Sequence, residues 1–259
     1  MTPAMNSAQR IHDFCQEAIS KNPGSYKIAI FWNFVLFGEK VEPSPVRSLE
    51  ITRRLGEVHR QLDLAVKQLD RADVPAELFE AEFNRLYNAL SPSRLHEPGA
   101  DVLKLIDKSS LSSLLWASWV LGRQEKPANP ADLIALAEQI KATRALIKAG
   151  AFPIGLADMV LAQLHELDDA LAAYGVAGIE PLRKAMQAAT GELVTSADDI
   201  REALDKATPE ERKTAMQAMS ELGQKASTAI RSAATTAKAA EQIIGYGQTA
   251  VTLIKDLMN

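Results

Sequence analysis

The stretch TPEERKTAMQAMSELGQKASTAIRSAATTAKAAEQIIGYGQTAVTLIKDLM, Thr208 to Met258, decides how the chain is read. Thr208-Pro209-Glu210-Glu211 is a helix start: a threonine cap, a proline at the first helical position where its missing N–H costs nothing, and a glutamate that reaches back to the cap. No second proline follows. Steps of three and four from Met219 give Leu222, Ala226, Ala229, Ala233, Thr236, Ala240, Ile243, Gly247, Ala250, Ile254 and Leu257, none of them charged. A second seam four residues further on (Gly223, Ile230, Ala237, Ile244, Val251, Met258) widens the apolar face to about three positions in seven. That is a packing face, broader than a two-stranded seam.

From Ala226 to Ala240 this face is nearly all alanine and threonine. Small side chains let a neighbouring backbone approach closely but bury little area. At about 25 cal/mol per Å² of apolar surface, such a seam stabilises less than a leucine seam, so the helix needs neighbours on more than one side. The reading is a long alanine-rich C-terminal helix at the centre of a bundle. The sharper alternative is a helix that leaves its bundle for a partner or a bilayer surface. Gly245-Tyr246-Gly247 marks a break or kink within it.

Working outward, the second half of the chain is an alanine-rich helical array. Asn129-Pro130 opens a helix to about Ala149, Gly150 to Pro153 turns it, and a partner helix runs to Gly175, an antiparallel hairpin. Pro181 to Leu193 and Ser196 to Ala207 read as two shorter helices. Only Phe152, Tyr174 and Tyr246 of the aromatic residues lie in this half. The composition shifts at 123–130, a short charged segment with two prolines. It separates an N-terminal helical region with an aromatic core (1–124) from a C-terminal bundle (131–259), unless the two form one continuous domain.

In the first half, Ser7 to Ser20 is a short amphipathic helix ended by Asn22-Pro23-Gly24. Tyr26 to Phe37 is the most apolar stretch and the densest aromatic cluster. Its composition favours a strand, but nothing else in the chain offers a strand to pair with, so a helix is expected. Its role is core, or, through Phe31, Trp32, Phe34 and Phe37 beside Lys27 and Lys40, contact with a membrane interface. Ser44-Pro45 opens the cleanest heptad: Ile51, Leu55, Val58, Leu62, Ala65, Leu69 and Ala72. After Val74-Pro75 a helix turns Phe79, Phe83, Leu86, Tyr87 and Leu90 inward, a second hairpin. Asp101 to Leu121 reads as one helix whose second half, Leu114 to Leu121, is apolar all round and therefore buried on every side. The fold class expected is all-α, a multi-helix bundle of antiparallel hairpins.

A net charge of −4 with acids and bases interspersed offers no footprint for nucleic acid. Cys15, the single cysteine, fits a reducing compartment, and a cytoplasmic location is expected. No apolar run reaches the roughly 20 residues of a spanning helix. Ile28 to Phe37 has the length of a signal segment, but it begins late and lacks a small-residue cleavage site.

His12, His59, His96 and His165 lie far apart and none stands at metal-ligand spacing from another or from Cys15, and no phosphate loop or nucleophile elbow is present. His165 to Asp169 gathers titratable groups, most simply a solvated face. No catalytic residue, metal, cofactor or small-molecule ligand is expected. The function expected is a non-catalytic interaction protein that binds a protein partner or a second copy through apolar helix faces. The candidate positions are Ile51, Leu55, Val58, Leu62, Ala229, Ala233, Ile243 and Ile254. The alternative is a membrane-active effector of the pore-forming type, with peripheral membrane contact through the 31–37 aromatics.

Overall fold

A computed structural model describes residues 6–22, 26–122 and 125–233. Among the described residues the chain is all-α, with eleven α-helices, no strands and packing between helices far apart in sequence. It divides into two compact units: Met1–Gln124 with Gly175–Gly178, and Glu125–Tyr174 with Ile179–Asn259.

The first unit is built from α1 (Ser7–Ser20), α2 (Ile28–Phe37), α3 (Pro45–Arg71), α4 (Glu80–Ala89), α5 (Gly99–Leu103) and α6 (Lys108–Leu121). The heptad from Ile51 to Leu69 forms the inner edge of α3 and is wholly buried. The Ser44 hydroxyl accepts from the Arg47 amide at 3.2 Å, with Pro45 in the first turn. The strand-like composition of 28–37 does form a helix. No side chain caps its start; instead the amides of Ile28 and Ala29 donate to the carbonyls of Glu97 (2.8 Å) and Leu95 (3.1 Å). Buried amides need partners, and here a distant loop supplies them. Gly38, with φ of +79°, closes α2 in the left-handed conformation that glycine adopts without strain. Inside α2, Asn33 donates to the Val41 carbonyl at 3.1 Å and holds the following loop.

The stretch expected as one helix from Asp101 to Leu121 is two. The Asp107 side chain accepts from the Ser110 amide at 2.9 Å and starts α6 afresh. Nor is 114–121 buried on every side: Leu114 and Ala117 are core, while Leu115 and Trp119 are exposed. A helix with neighbours on one side buries only the face turned to them, and α6 packs on α1, α4 and α3.

The second unit contains α7 (Pro130–Lys148), most of α8 (Ile154–Ala177), α9 (Glu180–Thr195), α10 (Ala197–Lys206) and α11 (Pro209–Ser232). Asn129 caps α7 and Thr208 caps α11, the latter with the reciprocal Glu211 contact. On α11, Met219, Leu222, Ala226, Ala229 and Ala233 are all buried, and the helix packs chiefly on α7. The small residues thus serve close approach, as their size implies. The remainder of the seam, including Ile243, Ile254 and Gly245-Tyr246-Gly247, lies outside the described residues.

Cys15 sits on the inner face of α1 with no exposed surface. Burial pushes its thiol up to about 12 from an ordinary 9.0, because a thiolate there would lose its solvation. In the unfolded chain it ionises near 9.0, so its contribution to stability is whole below that pH and is lost between 9.0 and about 12. Native protein at neutral pH is expected to resist iodoacetamide until denaturant exposes the thiol, as followed by intact mass. Rapid labelling of the folded protein would contradict this placement.

Candidate functional site

Most positions expected as contact surfaces are occupied by the chain itself. Ile51, Leu55, Val58 and Leu62 lie in the core of the first unit, and Ala229 and Ala233 in that of the second. Phe31 and Trp32 are also core: Trp32 stacks on Phe14 with centroids 5.5 Å apart and meets Phe31 at 5.0 Å. Phe34 and Phe37 are half-buried and covered by cations. Lys40 and Lys21 lie 4.3 and 5.4 Å from the Phe34 centroid, and the Arg47 guanidinium 4.1 Å from that of Phe37. Lys21 and Arg47 are themselves paired, with Glu17 and with Glu39 and Glu50, so this end of α2 carries a mixed rather than a basic surface.

Among the surfaces that the burial pattern leaves open is the outer face of α6. Trp119 is 80% exposed and Leu115, one turn earlier, 46%. Ser112 continues the same face, and from Ser109 to Leu121 the helix carries no charge. A tryptophan facing water on an uncharged helix is unusual, because its large apolar area is normally covered.

A buried polar node behind Trp119 fixes which way α6 faces. Asn6, fully buried before α1, accepts from the Gln9 amide at 2.9 Å and so caps the helix. Its amide group donates to the carbonyls of Ser118 (2.9 Å) and Gly122 (2.7 Å). The Ser118 hydroxyl in turn donates to the Gln9 side-chain oxygen at 3.1 Å. These bonds tie the last turn of α6 to the first turn of α1, with Ser118 inward and its neighbour Trp119 outward. From the same first turn of α1, Ser7 donates to Gln68 of α3 at 3.0 Å and Arg10 to Gln61 at 2.9 Å. The node is polar because it joins helix ends, whose backbone groups need partners.

The exposure of Trp119 was not legible because the stretch Leu114 to Leu121, polar only at Ser118, gives no sign of which face has neighbours. Asn6 carried a readable signal: an asparagine followed three residues later by glutamine is a capping pattern.

In the second unit, a groove of about 490 Å³ lies beside the first turn of α8, with α10 along it and Glu211 at its end. Arg144 of α7 bonds to Asp168 (2.8 Å) and to the Leu164 carbonyl (3.2 Å) of α8, which engages one of the acids noted near His165. His165 itself lies 3.7 Å from Asp169 on an exposed face. Among the described residues, no group of three His, Cys, Asp or Glu side chains is placed to hold a metal ion, and no helix is long and apolar enough to cross a membrane.

Comparison with protein-family models, with curated proteins and with solved structures gives no match for this chain.

Proposed function

We propose that this is a non-catalytic interaction protein, a bundle of antiparallel helical hairpins closed by its alanine-rich C-terminal helix. Its binding face is the outer side of α6. The observation that supports this is the 80% exposure of Trp119 beside Leu115 on an uncharged helix face. Tryptophan dominates the energetics of many protein interfaces, because it buries much area for little lost rotamer freedom. The partner that the chemistry favours first is a second copy of the chain. The same face on two copies meets about a two-fold axis without like-charge repulsion, the commonest arrangement in homodimers. The two side chains form a central anchor, and a stable dimer of about 800 Å² per copy requires the surrounding polar residues as a rim.

The test is Trp119→Lys. An exposed position tolerates substitution within about 0.5 kcal/mol, so helicity and thermal midpoint are expected to match those of the native protein. Sedimentation velocity is expected to show concentration-dependent association for the native chain and a monomer for the variant, at least tenfold in affinity apart. Equal association by both would move the binding face elsewhere.

A further inference from the structure

We infer that the groove between α10 and the first turn of α8 docks a basic amphipathic segment of a protein partner. The floor is apolar and made of small residues: Pro153 and Gly155 on one side, Ala203 and Ala207 on the other. A Cβ at Gly155 would stand 3.2 Å from that of Ala203, a tight contact. The two helices therefore approach closely here. At its edge the apolar side chain of Ile154 is 92% exposed.

The charges around this floor are unequal. Asp199, Glu202 and Glu211 line it against the single ammonium of Lys206, which is already paired with Glu202. Glu211 accepts from the Thr208 amide at 2.8 Å and hydroxyl at 2.7 Å. These bonds hold its carboxyl below the usual range but cancel none of its charge. Asp199 has no ion-pair partner among the described residues. The first turns of α8, α10 and α11 contribute about half a positive charge each, and the last turn of α10 about half a negative one, so the lining stays net negative.

Asp199, Glu202, Ala203 and Lys206 follow one face of α10 over two turns, about 10 Å. That length suits a run of side chains better than a compact solute. An acidic segment is repelled, and a purely apolar one strips water from Asp199 without replacing it. A segment that sets an apolar side chain against Ile154 and a lysine or arginine beside Asp199 satisfies both. This surface belongs to the second unit and does not depend on the reading of α6.

The test titrates isotope-labelled full-length protein with a short amphipathic peptide of leucine and lysine, and with its leucine–glutamate counterpart, by amide chemical shifts. The lysine peptide is expected to move resonances at 153–155 and 199–211 and to weaken as salt is raised. Asp199→Lys and Ile154→Ser, both at exposed positions, are expected to weaken it about tenfold with circular dichroism unchanged. Any of three results overturns the proposal: equal binding of the glutamate peptide, shifts centred away from the groove, or no shift at millimolar peptide.

Discussion

Replacing Trp32 with alanine is expected to destabilise the first unit severely. The side chain is fully enclosed, stacked on Phe14 at an interplanar angle of 10° and set against Phe31. Removing a buried tryptophan loses its transfer energy and leaves a cavity, together about 3–5 kcal/mol. Domain stabilities are about 5–15 kcal/mol, so the loss is a large share of the whole. The denaturant midpoint is expected to fall steeply and the near-ultraviolet dichroism to fade. The same burial bears on the membrane-effector alternative, because releasing 28–37 to a bilayer forfeits these contacts before any lipid contact is made. A Trp32→Ala protein of native stability that had lost binding to liposomes would revive that alternative.

Asn6→Ala is expected to be nearly as damaging, for a different reason. The substitution removes the cap of α1, worth about 1 kcal/mol, and strips the Ser118 and Gly122 carbonyls of a donor in a buried setting. An unsatisfied buried polar group costs about 1–3 kcal/mol, which brings the expected loss to about 3 kcal/mol. Asn6→Asp separates the two contributions: it keeps the capping oxygen but turns an acceptor toward two carbonyls, and is expected to be no better than alanine. Equilibrium urea unfolding measures both. A loss within about 0.5 kcal/mol would mean that the node does not hold α6 in place.

Local signals were legible in this chain. Ser44-Pro45, Asn129-Pro130 and Thr208-Pro209 each announced a helix start, and each asparagine or hydroxyl does accept a first-turn amide. Cap chemistry acts within four residues, so no tertiary information is needed to see it. The heptad from Ile51 to Leu69 likewise marked a face of α3 that is buried. It could not say whether the chain or a partner covers that face, because core seams and interface seams use the same residues. The Asp107 break went unread since an aspartate amid lysines looks like a solvated helix position. The exposure of Trp119 depends on where α1, α3 and α4 lie, and the groove joins residues more than forty positions apart, from Gly155 to Asp199. Those are properties of packing that composition and periodicity do not encode.

The binding face proposed for this protein is the outer face of α6, where Leu115 and Trp119 lie exposed. Hydroxyl-radical footprinting of the native chain across a concentration series, with solution mass recorded on the same samples, tests it most directly. The expected result is protection of Leu115 and Trp119 that rises together with mass, while the exposed Ile154 keeps its reactivity. A mass that stays monomeric at every concentration with Trp119 fully reactive, or protection centred on any other surface, would contradict it.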